Sequence, residues 1–387
     1  NIEINGKNNY GFRMSNIFDG TNNVYGSGLT VDGNKYYDSV TVNGSNGTIT
    51  VGGTENVGIS IAKNLSASKN TNPINNISAL NLLLTGNKVV GFLRNSNYSG
   101  NNNGDMILND TSVNSLNFGD GAKESTLVRS DKYGIILNKT INSTKGSTGN
   151  SFAQSSNGGY VTNQGTLSSS LDKFTGMVSS GSDGTNKSKV SNTGTITLTS
   201  NSDDLVGLAA LNNADVANTG TLKILGTGKN KAGIYNNGTG TATIGQGSDI
   251  EITGESSSAV YNNSGTVNIS GTNSITANNG SVGIFSSGGT VNSTSGNNLS
   301  INVNDTIKKG LGIYAENGAN VNLSSAKINV QNGAAGVTAE GAGTNLNLQG
   351  ATLTYNGDGY AIYANNGANI DLSNNATINL YGKATGF

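Results

Sequence analysis

The chain has 387 residues, with 22 basic and 23 acidic side chains for a formal net charge of -1, and it contains no His, no Cys, no Trp and a single Pro. Those absences exclude Ser-His-Asp and Cys-His nucleophilic catalysis, His- or Cys-ligated zinc and disulfide stapling, and the near-neutral balance argues against nucleic acid, which calls for a basic stripe. Asn, Gly, Ser and Thr supply 207 residues, yet 33% are hydrophobic and the net charge is small, so the chain should fold.

The chain opens Asn1-Ile2-Glu3-Ile4-Asn5, without the basic n-region and apolar h-region of a signal peptide. Short strands follow in Thr41-Val42-Asn43 and Thr48-Ile49-Thr50-Val51. The densest apolar run, Ala79 to Leu84, is far short of the roughly 20 residues of a membrane helix. Through the first half a small residue followed by an apolar one recurs loosely, at Gly11-Phe12, Gly58-Ile59, Gly91-Phe92, Gly134-Ile135 and Gly176-Met177. The spacings of 47, 33, 43 and 42 residues leave two readings: intervening coils without a clean anchor, or inserted loops. Residues 139–173 are mostly polar and read as one irregular coil or a loop. Insertions in stacked repeats emerge as loops and often carry binding. All three arginines, Arg13, Arg94 and Arg129, lie in this half, with Tyr36, Tyr37 and Tyr98 nearby in sequence. Arg with Tyr is the composition of a recognition hot spot, which makes Arg94, Arg129, Tyr36 and Tyr37 candidate ligand contacts; their ordinary role would be as solvated side chains.

The second half repeats openly. A small residue, an aliphatic and usually an aromatic recur at Gly233-Ile234-Tyr235, Ala259-Val260-Tyr261, Gly283-Ile284-Phe285, Gly312-Ile313-Tyr314, Gly336-Val337-Thr338 and Ala361-Ile362-Tyr363, with Gly207-Leu208-Ala209 as a weaker copy. Leu208 to Ile362 spans 154 residues in six intervals, a mean of roughly 26 per repeat. Within each interval polar and aliphatic residues alternate, as in Asn320-Val321-Asn322-Leu323 and Lys327-Ile328-Asn329-Val330, which is the pattern of a half-buried strand. Turn pairs such as Asn317-Gly318 and Asn366-Gly367 separate the strands. Two to three short strands per roughly 25 residues describe one coil of a parallel β-helix, with aliphatics stacking inward and Asn amides free to hydrogen-bond along the axis at the bends. The division expected is irregular coils with inserted loops over 1–190 and regular coils over 191–387. About fifteen coils would make a rod of roughly 70 Å. Gly386-Phe387 falls where the next copy should begin, the mark of a fragment.

With Ile234, Val260, Ile284, Ile313, Val337 and Ile362 inward, alternation places Tyr235, Tyr261, Phe285, Tyr314, Thr338 and Tyr363 outward. The resulting aromatic stripe suits sugar rings or a partner's apolar surface. Its plainer role is sheet stabilisation, at roughly 0.2–1 kcal/mol per pair. A one-residue slip would bury the rings instead. Carboxylates give little: Asp203-Asp204 is the only adjacent acidic pair, alternation sends its members to opposite faces, and Asp105, Asp110 and Asp120 are scattered. No catalytic residue, metal site or cofactor is expected, although Asp, Asn and backbone oxygens leave calcium open. Gly181-Ser182-Asp183-Gly184 does not match the nonapeptide calcium repeat.

The runs Gly-Ile-Tyr-Ala-Glu-Asn-Gly-Ala-Asn-Val-Asn-Leu (312–323) and Ala-Ile-Tyr-Ala-Asn-Asn-Gly-Ala-Asn-Ile-Asp-Leu (361–372) resemble the repeats of autotransporter passengers secreted by the type V route. The resemblance covers residues 192–387 well and the first half more loosely, and its Asn/Lys/Ile-rich wording is most similar to the large fusobacterial outer-membrane autotransporter adhesins. It implies a right-handed parallel β-helix exported through its own C-terminal barrel, the only contact with a membrane, and displayed on the bacterial surface. The expected partners are a host-cell receptor or glycan, or the surface of other bacteria. The alternatives are a structural stalk whose adhesive tip lies elsewhere, and a polysaccharide-degrading β-helix enzyme. The Gly-Asp-Ser-Gly motif of protease passengers is missing; Gly119-Asp120-Gly121 is the nearest string.

Overall fold

Alternating runs of four to six residues cannot bury an apolar face alone and must stack on neighbours. In the computed structural model they do so. Residues 1–14, 17–18, 24–25, 29–31, 34–36, 42–43, 46–61, 77–95, 105–110, 112–293, 296 and 298–387 are described. Among them there are strands, turns and bends but no helix, and three long parallel sheets of 13, 11 and 10 strands run the length of the stack. One coil contributes one strand to each sheet, as in Leu311–Glu316, Asn320–Leu323 and Lys327–Gln331. The next coil lays Ala335–Glu340, Asn345–Asn347 and Thr352–Gly357 directly on them. The molecule is a parallel β-solenoid. Ten coils carry all three strands, and the longest sheet has 13, rather than the fifteen coils expected, so its 12 inter-strand steps span about 58 Å.

Nearer the N-terminus, Ile2–Ile4, Thr48–Val51, Leu80–Leu84 and Val113–Phe118 form a four-stranded parallel sheet, and its last strand packs beside Thr140–Ser143 of the ten-stranded sheet. Two short antiparallel pairs, Ile17–Phe18 with Val24–Tyr25 and Leu29–Val31 with Asn34–Tyr36, interrupt the parallel rule between successive strands of the longest sheet. One anchor is corrected. Phe12, Ile59 and Phe92 do share a register with Met177 and Leu208, but the intervening members are Val128 and Ala153. Gly134-Ile135 belongs to the eleven-stranded sheet, where it pairs with Tyr160-Val161. The repeat was hidden because Leu127 and Phe152 occupy the small-residue position in those two coils. Residues 139–173 are accordingly ordinary coil, with strands Thr140–Ser143, Ser151–Ser156, Tyr160–Asn163 and Thr166–Ser169.

The core is a set of axial aliphatic columns. Leu208, Ile234, Val260, Ile284, Ile313, Val337 and Ile362 stack in register and are buried. Burying such a side chain contributes roughly 1.5–3 kcal/mol, and every coil supplies several. Phe152, Phe174 and Phe118 fill the wider early interior as an edge-to-face group, with centroids 4.7 and 6.0 Å apart. Where glycine precedes the inward aliphatic it has a packing reason. A Cβ on Gly312 would lie 2.4 Å from the Gly336 carbonyl oxygen, and on Gly233 2.5 Å from that of Ala259. Polar columns run beside the aliphatic ones. Asn163 Nδ2 donates to Asn192 Oδ1 at 2.8 Å, and Asn192 Nδ2 donates to Asn218 Oδ1 at 2.8 Å. Asn236 donates to Asn262 in the same way at 2.9 Å. All five are buried, and the amides bond one another along the axis, with Asn236 Oδ1 alone of the five left without a partner.

Candidate functional site

The outward position next to the Leu208–Ile362 column carries the aromatic stripe. Tyr235, Tyr261, Phe285, Tyr314, Thr338 and Tyr363 pair in strict register along the longest sheet. Ring centroids are 5.3 Å apart for Tyr235–Tyr261, 4.9 Å for Tyr261–Phe285 and 5.1 Å for Phe285–Tyr314, the last pair stacked at 7°. These four rings are half-buried and form one continuous row, in which Tyr261 stands edge-to-face with Phe285 at 83° and Tyr235 is tilted 36° from Tyr261. Thr338 breaks it; Tyr363 beyond is exposed and packs against Tyr360 at 5.6 Å. On one flank of the stripe lie small and apolar residues, Ser258, Val282, Leu311 and Ala335 in register. On the other flank lie hydrogen-bonding groups: Asn263 Nδ2 donates to Asn237 Oδ1 at 2.8 Å, and Ser287, Glu316 and Glu340 continue the line.

The Tyr314 hydroxyl reaches Glu316 Oε2 at 2.8 Å and Glu340 Oε2 at 3.0 Å, which holds the two carboxylate oxygens within 5.8 Å of each other. Burial, then the two carboxylates, push its pKa well above the ordinary tyrosine value, so the phenol stays a donor at any physiological pH. Sequence reasoning missed this acid pair because Glu316 and Glu340 are distant in sequence. Each lies two residues after its stripe position, and stacking the repeats would have aligned them. Asp203 and Asp204, by contrast, lie in the bend between strands and not in a strand. Asp203 accepts from the Lys229 amide at 2.7 Å, and Asp204 pairs with Lys173 at 3.7 Å. Among the described residues no group of three or more acidic side chains gathers where a metal ion could sit.

The first-half candidates are not brought together with the stripe. Arg94 is buried, its guanidinium donating to the Gly134 carbonyl and lying 5.2 Å over the Tyr133 ring. Beside it Tyr160 donates to Asp105, and burial with that hydrogen bond pushes the Tyr160 pKa up to about 12. A Cβ on Gly134 would fall 2.0 Å from Asp105 Oδ1 and 2.2 Å from the Tyr160 ring, so this glycine makes room for the cluster. Arg129 pairs with Asp131 at 2.7 Å and reaches Ser156 at 3.4 Å. Both arginines therefore have intramolecular partners. Tyr37 and Tyr98 lie outside the described residues, and only the backbones of Arg13 and Tyr36 are described.

A second feature lies at the corner between the eleven- and ten-stranded sheets. A polar cavity of about 250 Å³ is lined by Asp110, Asn138, Lys139, Thr140, Gln164, Gly165, Thr166, Gly194 and Thr195. No family model, no curated protein and no solved structure matches the chain.

Proposed function

We propose that the chain is a segment of a surface-displayed bacterial adhesin passenger, a stiff β-solenoid that binds glycan or protein on host cells or partner bacteria through its lateral face. The observation that carries this reading is the continuous row of Tyr235, Tyr261, Phe285 and Tyr314, with ring centroids 4.9–5.3 Å apart along the axis. A pyranose has an apolar C–H face and a hydroxyl rim. The stripe offers apolar aromatic surface for the face, and Asn237, Asn263, Glu316 and Glu340 offer donors and acceptors for the rim. Identical spacing from coil to coil would let several units of one chain bind at once, which raises avidity without new contacts. The proposed role is binding without catalysis, at the outer-membrane surface.

A structural stalk is the second reading, because the same ring pairs stabilise the sheet whether or not anything rests on them. Binding of the folded protein to intact host cells and bacteria, across a dilution series with free sugars as competitors, separates the two. Saturable, competed binding supports adhesion; no binding by folded protein leaves the stalk.

A further inference from the structure

The corner cavity has a charge arrangement found nowhere else along its column. The register places Asp110, Lys139, Gly165, Gly194 and Gly220 one above another in five successive coils. The three glycines leave the corner without side chains. A Cβ on Gly165 would meet the Lys139 carbonyl oxygen at 2.2 Å, and one on Gly194 that of Gly165 at 2.1 Å. Lys139 is the last of these five residues to carry a side chain, and that side chain is 6% exposed. Its ammonium lies 2.5 Å from Asp110 Oδ1, while the Asp110 side chain is 75% exposed. Asp110 sits on a turn pinned by two reciprocal bonds, the Asn109 amide to Ser112 Oγ and the Ser112 amide to Asn109 Oδ1, each 3.0 Å.

A buried cation needs an anion, and here the anion stands in solvent at the mouth of an open cavity. Such a counter-ion is exchangeable: an incoming carboxylate can take the ammonium while Asp110 turns outward and is hydrated. The rest of the wall selects what carries that carboxylate. It holds the Gln164 amide and the outward hydroxyl column of Thr140, Thr166 and Thr195, in register on the ten-stranded sheet, and no aromatic or aliphatic side chain. Hydroxyls and amides without apolar surface suit a polyhydroxylated ligand. We infer that this corner binds a sugar acid, a uronate or sialate, with its carboxylate on Lys139 and its hydroxyls on Gln164 and the threonines. The inference rests on the adhesion reading only in placing that sugar on a cell; the binding chemistry stands without it.

Calorimetric titration of the full chain tests it, using glucuronate and N-acetylneuraminate, with glucose as the neutral counterpart and acetate as the bare carboxylate. The sugar acids show binding that depends on Lys139, and glucose and acetate do not. Asp110→Asn removes the competing anion and tightens sugar-acid binding by roughly tenfold, as loss of a charged internal hydrogen bond implies. Lys139→Met abolishes binding, and Tyr381→Ala, an exposed ring at the far end of the ten-stranded sheet, leaves it unchanged. Asp110→Asn changes only an exposed side chain, so the test does not hang on the fold of the Lys139 variant. Equal binding of glucose or acetate that Lys139→Met also abolishes, weaker binding by Asp110→Asn, or no binding by both the wild type and Asp110→Asn would overturn the inference. Sugar-acid binding without attachment to cells would sink the adhesion reading and leave this site standing.

Discussion

Replacing Ile313 by Asp puts a carboxyl at the centre of the stack. Ile313 has no exposed surface and lies in register between Ile284 and Val337. The strand cannot turn to relieve it, because the preceding Gly312 has no room for a rotation, its Cβ position being 2.4 Å from the Gly336 carbonyl oxygen. Loss of the aliphatic side chain costs about 2–5 kcal/mol. A buried carboxyl without a partner stays protonated, and raising its pKa by about three units costs about 4 kcal/mol more at neutral pH. The total of about 6–9 kcal/mol rivals the whole stability of an ordinary domain. Each coil touches only its neighbours, so the break should stay local and divide the stack. Urea unfolding followed by far-UV circular dichroism should show a lowered or split transition, and protease should cut between Ile284 and Val337. The defect should shrink as pH falls through about 4 and be smallest near pH 3, where the new carboxyl is mostly neutral in both states. Ile313→Val, expected to cost about 0.5–1.5 kcal/mol, is the control. An Ile313→Asp variant with the wild-type midpoint and no new cleavage would refute the register.

Three further outcomes follow from the interior and the Arg94 corner. Asn192→Ala removes the bonds from Asn163 and to Asn218 and the Thr221 carbonyl and should cost about 2–4 kcal/mol through stranded buried amides, read as a urea midpoint; an unchanged midpoint would mean water replaces the ladder. Gly134→Ala drives a methyl into Asp105 and Tyr160, with an expected loss of about 1–3 kcal/mol that Gly134→Ala combined with Tyr160→Ser should partly restore. Tyr160, with its pKa pushed up to about 12 from 10.0, keeps its proton in the folded state while the unfolded chain loses it. Its stabilisation is therefore complete below pH 10 and is lost as pH rises through 12. The tyrosinate absorbance difference between wild type and Tyr160→Phe should rise only near pH 12; a step near pH 10 would show that the Asp105 contact does not form in solution.

Much of the solenoid was readable because it repeats a small-aliphatic-aromatic triplet. Ile234, Val260, Ile284, Ile313, Val337 and Ile362 could be set inward and the rings outward from period two alone, and the structure keeps that register. The first half was harder because the triplet depends on a small residue. Leu127 and Phe152 take that position in two coils, where Phe152 packs with Phe174 and Phe174 with Phe118, and Gly134-Ile135 on a different sheet imitates the missing copy. Arg94 read as a surface group because nothing local announces that its chain turns into the Gly134 corner. Glu316 with Glu340, and Asp110 with Lys139, are pairs made only by stacking, one coil apart in space and 24 or 29 residues apart in sequence.

The stripe is most directly tested by attachment itself. Tyr261→Ala combined with Tyr314→Ala, shown to be folded, should be compared with wild type in saturable binding to intact cells, with Tyr381→Ala, an exposed ring off the stripe, as the reference. Loss of binding by roughly tenfold or more for the double variant, with Tyr381→Ala unchanged, is the result predicted. Equal binding by all three proteins would contradict it and return the rings to a structural role.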